Sequence, residues 1–313
     1  MVWTPLLLLV LAATGSAGVG HAPPRTMAVT FDDLPCNAQE GSGPAEQVAI
    51  NTAIVRELTA REIPAIGFVN EGRLYRDGAL DPARVAALTA WLDAGLTLGN
   101  HTFDHPSLHK IPLPDYLDNI ARGEEVTRSL LRARGADLRW FRHPFLQTGR
   151  DLDTKTAVVS FLAKRGVRVA PVTLDNSEWI FARAYLTAAP EERSRIADAY
   201  VPYMESKIAY WERQSLALFG REIPQVLLVH ANHLNADHFG RIATMLAGRG
   251  YRFVPLETAM ADPAYASADR FTGGAGISWL HRWALTRGEV SRVLPDEPKT
   301  PGWVSAAAGV NRE

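Results

Sequence analysis

The sequence Met27-Ala-Val-Thr-Phe-Asp-Asp33 decides the fold class, because an uncharged run of strand length leads directly into two adjacent carboxylates. Residues 27–31 are apolar apart from the β-branched Thr30, and such a run predicts a strand buried on both faces of a parallel sheet. Asp32 and Asp33 follow at its carboxyl end. Side chains alternate between faces along a strand, so both carboxylates reach one site only if the strand ends there and the chain turns.

Six further runs of strand length follow, and amphipathic segments of helical length separate them. The strand runs are residues 65–69, 96–100, 138–142, 167–174, 225–230 and 252–256. Helical periodicity is found in residues 82–94, 116–133, 154–165 and 237–247. Alternation of this kind predicts an α/β protein with a parallel sheet and crossover helices.

One connection is longer than a crossover helix needs. Residues 180–222 are therefore interpreted as an insertion that covers one side of the mouth of a barrel. Their pattern predicts two helices, at residues 179–186 and 191–217. With this insertion, residues 23–260 are expected to form a single domain.

Both ends of the chain lie outside that domain. Residues 1–22 combine an apolar run with small residues before the end of the segment, which is typical of a secretory signal peptide, although no Lys or Arg precedes the run. They predict export to the periplasm or the medium, with an uncleaved anchor as the alternative. Residues 261–313 are expected to form a tail that wraps or frays, with one short helix at 277–285.

Composition excludes several classes of partner. The formal net charge is −1 and the basic residues are scattered, which argues against nucleic acid and against a polyanionic substrate. After removal of the leader, no segment predicts a stable membrane span. Cys36 is the single cysteine, so no intramolecular disulfide forms. Nothing in the sequence indicates an oligomeric state.

Ionisable side chains lie at five of the seven predicted strand ends. In parallel α/β barrels the reactive residues collect at the carboxyl ends of the strands. Charges at a core boundary cost desolvation energy unless they are paired, so a purely structural barrel has no reason to place them there. These strand ends carry Asp32 and Asp33, His101, Arg142, Asp175 and His230.

Two histidines in the sequence His101-Thr-Phe-Asp-His105 are candidates for metal ligands. Their spacing allows both imidazoles to face one ion, and Pro106 then predicts a short, fixed loop. Alone, the pair is equally compatible with ordinary surface or core imidazoles, and the Asp32-Asp33 pair with a turn. Two imidazoles and a carboxylate together suit Zn²⁺, although a non-haem Fe²⁺ centre uses the same donors.

Arg142 and His230 complete the set of candidates. An arginine that faces the mouth needs a carboxylate partner, and Asp32 is the natural candidate, although a structural ion pair with another acid would serve. His230 ends a fully apolar strand run, Val226-Leu-Leu-Val-His230. A single histidine there is more often a core residue, but the neighbouring ionisable strand ends favour a functional role.

Five ordered motifs resemble those of the polysaccharide deacetylase family, which is also called carbohydrate esterase family four. The motifs are Thr30-Phe-Asp-Asp33, His101-Thr-Phe-Asp-His105, Arg142-His-Pro-Phe145, Asp175-Asn-Ser-Glu-Trp179 and Leu227-Leu-Val-His230. The resemblance covers residues 27–256. It implies a distorted parallel (β/α) barrel of about seven strands.

The resemblance also implies roles for individual residues. It implies that Asp32 is the general base and His230 the general acid, that Arg142 orients Asp32, and that the metal ligands are Asp33, His101 and His105. On the substrate side, it implies that the backbone N–H of Phe145 is an oxyanion donor and that Trp179 and Leu228 line an acetyl pocket. Asp175 and Glu178 are implied as further residues of the substrate side. Two positions depart from the family pattern. Leu34 stands where glycine is usual, and Glu178 where aspartate is usual, which leaves its contact with His230 open.

The implied activity is hydrolysis of an N-acetyl group on a sugar or cell-envelope polysaccharide, by attack of a metal-activated water. Zn²⁺ is the expected ion, and Fe²⁺, Co²⁺, Mn²⁺ and Ni²⁺ are the other ions considered. The alternative substrates are another C–N amide bond, a small acetylated molecule or an O-acetyl ester. A non-catalytic glycan-binding or metal-binding barrel is the alternative from a different class.

Overall fold

A computed structural model of the chain describes residues 25–37 and 43–311 together with Met1 and Glu313. The predicted leader, residues 1–22, lies outside the described residues except for Met1. The described helices are α1 Pro44–Ala60, α2 Pro82–Asp93, α3 Leu113–Arg122, α4 Glu125–Arg132, α5 Leu152–Lys164, α6 Glu178–Thr187, α7 Pro190–Phe219, α8 His233–Gly248, α9 Leu256–Met260, α10 Trp279–Thr286 and α11 Gly302–Ala307. None of them is long and apolar enough to cross a membrane.

Each predicted strand run contains a strand of one parallel sheet, which confirms the predicted α/β class. The described strands are β1 Thr26–Leu34, β2 Ala65–Val69, β3 Tyr75–Arg76, β4 Ala79–Leu80, β5 Thr97–Asn100, β6 Trp140–Phe141, β7 Arg168–Val169, β8 Gln225–His230 and β9 Arg252–Phe253. The order in the large sheet is β7-β6-β5-β2-β1-β8, and β9 also pairs with β1. Strands β3 and β4 form a small antiparallel pair that the sequence analysis did not predict.

Strand β1 lies inside the sheet, with β2 on one side and β8 on the other. All of its residues after Thr26 are buried, as its uncharged sequence predicts. The register with β8 makes Asp32 the direct neighbour of His230. The carboxyl ends of these two strands therefore bring an acid and an imidazole together.

The sheet curls because the run at residues 167–174 pairs with two different neighbours. Strand β7 at its beginning pairs with β6. Farther along, the backbone N–H groups of Thr173 and Leu174 donate to the carbonyl of Val226 in β8, at 3.2 and 3.0 Å, and a parallel bridge joins Leu174 to Leu227. The predicted eight-residue strand is therefore wrong in length, and this change of partner gives the distorted barrel.

The predicted single helix at residues 116–133 is also wrong, because it divides into α3 and α4 at Gly123. A Cβ atom at this position would overlap the backbone of Thr102 and Phe103. The close approach that glycine permits therefore brings the end of α3 against the loop that carries His101. The insertion follows the prediction and forms the helices α6 and α7.

The C-terminal tail is packed against the barrel in its described residues, so of the two alternatives left open by the sequence it wraps and does not fray. The N–H of Trp279 donates to the carbonyl of Val172 at 2.8 Å, and the Ser278 hydroxyl donates to that of Thr173 at 2.8 Å. Helix α10 buries Leu280 and Trp283 completely or nearly so. The burial of this apolar face stabilises the tail against the residues that follow β7.

Candidate active site

Asp33, His101 and His105 converge at the carboxyl ends of β1 and β5. One carboxylate oxygen of Asp33 lies 3.7 Å from Nε2 of each histidine, and the three donor atoms lie within 4.8 Å of one another. A tetrahedral ion with ligand distances of about 2.1 Å separates its donors by roughly 3.4 Å. The three side chains are therefore close to the arrangement that one metal ion requires.

The three donors are in the protonation states that bind a metal. Burial lowers the pKa of His101 well below its ordinary value. Burial also lowers the pKa of His105. For Asp33, burial alone would raise the pKa, but nearby positive charge, first that of Arg73, outweighs it and holds the pKa below its usual range. A carboxylate and two neutral imidazoles are the forms that coordinate divalent ions.

Two further observations fit a cation at this position. Nδ1 of His101 lies 2.8 Å from the carbonyl oxygen of Arg142, and a carbonyl accepts only from a protonated ring nitrogen, which leaves Nε2 to bind the ion. Oδ1 of Asp33 is buried and has no hydrogen-bond partner among the described residues. Arg73 lies 3.4 Å from this oxygen, so its charge offsets part of the buried negative charge.

The loop between the two histidines has a strained backbone that buried amides hold. Thr102 and His105 have φ angles of 70° and 57°, in the left-handed region that few residues other than glycine occupy. The side-chain oxygen of Asn100 accepts from the N–H of Thr102 at 2.6 Å, and that of Asn119 accepts from the next two N–H groups at 2.9 Å. Asn119 gave no signal in the sequence, because one polar residue in a helical pattern is unremarkable.

Asp32 lies beside the three donors without joining them. One of its oxygens is 3.8 Å from Nε2 of His101, and the other is buried without a hydrogen-bond partner among the described residues. Burial raises the pKa of Asp32 to about 6, although the nearby charge of Arg142 acts in the opposite direction. A carboxylate with a raised pKa that binds no ion can accept a proton.

Arg142 is fully buried beside Asp32, but the predicted ion pair between them is not formed within 4.0 Å among the described residues. Its Nη2 donates instead to the hydroxyl of Thr30 at 3.0 Å. Thr30 and Asp32 are two residues apart on β1 and share one face of the strand. The guanidinium of Arg142 therefore bonds to the Thr30 hydroxyl instead of the Asp32 carboxylate. Arg142 therefore acts on Asp32 through its charge.

His230 is held by a buried carboxylate. Its Nδ1 lies 2.7 Å from one oxygen of Glu178, and the other oxygen accepts from the amides of Asn232 and Asn235 at 2.5 and 2.8 Å. Burial alone would lower the pKa of His230, but the hydrogen bond and the charge of Glu178 raise it to about 9. The ring is thus an imidazolium at neutral pH. The sequence left this contact open, and the longer side chain of Glu178 makes it.

The two asparagines were missed in the sequence analysis. Asn232 is the N-cap residue of α8, and its side-chain oxygen accepts from the N–H of Asn235 at 2.9 Å. An asparagine directly before a helical pattern is a recognisable cap signal. That signal indicates a helix start and gives no hint that the amide also orients Glu178.

Comparison with known proteins identifies a family that this chain resembles. Residues 20–169 match the family model described as polysaccharide deacetylase. This part of the chain is therefore similar to polysaccharide deacetylases. The match confirms the resemblance for the three motifs that lie within the matched residues. No match was found among curated protein sequences.

Several solved structures are similar to the chain. A chitin deacetylase from the fungal pathogen Colletotrichum lindemuthianum is 19% identical, with a TM-score of 0.51 over 76% of this chain and 88% of the other. A peptidoglycan deacetylase from Bacillus subtilis is 19% identical, with a TM-score of 0.49 over 78% of this chain and 95% of the other. A mutant, with restored enzymatic activity, of a carbohydrate esterase family four pseudoenzyme from Bacillus anthracis is 15% identical, with a TM-score of 0.47 over 74% of this chain and 66% of the other. The chain thus spans about two thirds of that protein. The first of these comparisons confirms the distorted parallel barrel.

The remaining residues of the five motifs have different surroundings. The ring of Phe145 packs against that of His105, with centroids 4.7 Å apart, and is 54% exposed at the mouth. Leu228 is buried in β8 and Trp179 is half-buried at the start of α6. Asp175 has a different environment. Burial raises its pKa to about 6, and the charges acting on it come first from Lys207 and Glu297, in the insertion and the tail.

Proposed function

We propose that the protein is an exported, metal-dependent hydrolase that removes N-acetyl groups from an N-acetylated sugar or cell-envelope polysaccharide. One observation carries this proposal: Asp32 and His230 are register partners on adjacent strands, beside the three metal donors. A structural metal site needs neither a proton acceptor nor an imidazolium. Amide hydrolysis needs both, because water must lose a proton and the amine must gain one.

Asp33, His101 and His105 would hold the cation, for which Zn²⁺ is the first candidate. Fe²⁺, Co²⁺, Mn²⁺ and Ni²⁺ accept the same nitrogen and oxygen donors. A bound divalent ion supplies Lewis-acid chemistry, which lowers the pKa of water from about 16 toward 7 and polarises a carbonyl group.

The protein's own residues then divide the proton transfers. Asp32 accepts the proton of the attacking water, since its carboxylate is uncoordinated. The backbone N–H of Phe145 donates to the oxyanion that develops on the acetyl carbonyl. His230 carries a proton at neutral pH and donates it to the departing nitrogen, while Glu178 keeps the ring in place. Arg142 opposes the rise in the pKa of Asp32 and so keeps more of it ionised.

The proposal is tested by metal analysis together with acetate release from a substrate panel. The panel contains N-acetylated oligosaccharides, peptidoglycan fragments, small cyclic amides and acetyl esters. We expect about one metal ion per chain and acetate release from at least one N-acetylated glycan, lost on chelation and restored by added ion. The Asp32→Asn protein, assayed in parallel, controls for contaminating esterases.

Other outcomes of this panel contradict the proposal in distinguishable ways. Turnover of cyclic amides or acetyl esters alone would assign a different hydrolase activity to the same residues. Glycan binding without any turnover would identify a non-catalytic barrel.

The proposed export rests on the leader and is tested separately. We expect residues 1–22, fused to a reporter that folds only outside the cytosol, to give an active reporter cleaved near residue 22. The matched control carries Leu8→Arg and Leu9→Arg, which interrupt the apolar run and should retain the reporter in the cytosol. An inactive reporter retained in the cytosol would contradict export, and an exported but uncleaved fusion would identify an anchor.

A further inference from the structure

The turn that presents Phe145 has an unfavourable backbone conformation. Phe145 and Leu146 are consecutive residues with φ angles of 55° and 53°, and neither is a glycine. Such residues persist only where the surrounding structure holds them. The turn lies directly above a candidate metal ligand, because the Phe145 ring packs on that of His105. What holds this turn therefore also sets the position of the Phe145 N–H relative to the metal donors.

Arg282 of α10 holds the turn from the opposite side. Its Nη2 donates to the carbonyl oxygen of Leu146, and its Nη1 donates to the hydroxyl of Thr148 at 3.0 Å. The guanidinium is fully buried and stacks on the ring of Trp279, with Cζ 3.9 Å from the centroid. Its Nε donates to the carbonyl oxygen of Ile277 at 2.8 Å. Because all three nitrogens of the planar guanidinium donate hydrogen bonds, its position is fixed, and it fixes in turn the positions of the Leu146 carbonyl and the Thr148 hydroxyl.

The tail segment around Arg282 is itself anchored to the barrel. We call residues 269–282 the brace. At one end, Asp269 pairs with Lys155 of α5 at 2.7 Å. At the other, the Ser278 hydroxyl donates to the carbonyl of Thr173 and the Trp279 N–H to that of Val172, both in the barrel wall. Because the brace is bonded to two separate elements, Arg282 is supported independently of the turn that it contacts.

Gly276 brings the brace against the Phe145 turn. A Cβ atom at this position would overlap the carbonyl oxygen of Phe145 and crowd the side chain of Leu146. The backbone of the brace therefore lies in direct contact with the carbonyl of the proposed oxyanion donor residue. A glycine is required by this close approach, because any side chain would displace the turn or the brace.

We propose that Arg282 is a positioning residue, which with the brace fixes the Phe145–Leu146 turn so that the Phe145 N–H is aimed at the developing oxyanion. The C-terminal tail thereby completes the active site. The match to the family model ends at residue 169, so the brace lies beyond the part of the chain that is matched. This inference rests on the proposed deacetylase function.

The first test compares Arg282→Lys with Arg287→Lys on the same acetylated substrate. Lysine keeps the charge but cannot reproduce the fork. Arg287 provides a matched control because it is exposed at the end of α10 and bonds to Ser267 rather than to the turn. We expect Arg282→Lys to lower kcat by roughly 10- to 100-fold with KM within about twofold, since oxyanion contacts act in the transition state. Bound metal should be unchanged, and Arg287→Lys should match the parent protein.

The second test does not depend on activity. Hydrogen exchange of the metal-free protein should show faster exchange in the peptide covering residues 143–149 of Arg282→Lys, with residues 101–105 unaffected. Thr148→Val provides a smaller change in case Arg282→Lys does not fold, because it removes only one acceptor of the guanidinium, and it should accelerate exchange in the same peptide. Unaltered exchange at residues 143–149 in folded variants would overturn the proposal. So would a loss of kcat matched by an equal loss in Arg287→Lys.

The two tests separate this inference from the function on which it rests. If the parent protein releases no acetate from any substrate, the proposed function fails, while hydrogen exchange still decides whether Arg282 holds the turn. If acetate is released and Arg282→Lys has the kcat of the parent protein, the function stands and the positioning role is excluded.

Discussion

Purified Asp33→Ala, His101→Ala and His105→Ala proteins are expected to hold far less than one metal ion per chain and to lose almost all turnover. The reason is that these three side chains supply the donor atoms that lie within 4.8 Å of one another. Removing one donor of three leaves an incomplete coordination shell. Metal content by elemental analysis, measured beside acetate release, checks both parts of the expectation.

Asp32→Asn is expected to behave differently from these three variants. It should retain the metal, because Asp32 approaches only His101 among the donors, and lose turnover by roughly 10²- to 10⁴-fold through removal of the proton acceptor. His238→Ala is a matched histidine control, since His238 contacts the Tyr185 hydroxyl outside the site, at 3.3 Å. Loss of metal in Asp32→Asn together with retention in Asp33→Asn would exchange the roles of the two aspartates.

The position of the site was predictable from the sequence because two rules coincide. An apolar run followed by an ionisable residue identifies the end of a buried strand, and parallel strands bring such ends to one edge of a barrel. Asp33, His101 and His105 meet for this reason, although β1 and β5 are separated in the chain by two helices. The neighbouring positions of Asp32 and His230 depend also on strand register, which the sequence did not specify.

The contacts of the long side chains were not predictable in the same way. The pairing of Arg142 with Thr30 instead of Asp32 depends on where a flexible side chain meets its first acceptor. The reach of Glu178 to His230 depends on how α6 is placed above β8. Sequence patterns determine the face on which a residue lies, whereas such contacts are decided by distances between elements.

The contacts of the C-terminal tail with the barrel were likewise not determined by a sequence pattern. Its short helix was predicted, but the sequence left open whether the tail wraps around the barrel or frays. The segment before α10 lacks periodicity and is attached to the barrel wall through backbone carbonyls, such as that of Val172, which every residue has. Arg282 belongs to a residue type that is mostly exposed, and a buried arginine becomes recognisable only when its acceptors are known.

Substituting His230 should distinguish substrates by their leaving groups. Cleavage of an N-acetyl sugar must expel an amine, which requires a proton at nitrogen, so His230→Ala is expected to lower turnover by roughly 10²- to 10⁴-fold. An aryl acetate expels a phenolate that needs no such proton, and its hydrolysis should be much less affected. Acetate release from both substrates, measured in the same preparation, gives the ratio of the two losses.

The position of His230 makes this difference specific to its proton. Its ring is held by Glu178 and carries a raised pKa, whereas the three metal donors are other residues, so metal content should be unchanged. His233→Ala is the matched control, because His233 pairs with Glu46 at the start of α8 and should affect neither substrate. Equal losses on the amide and the aryl ester would leave His230 as a binding or structural residue. Loss of the metal would instead make it a fourth ligand.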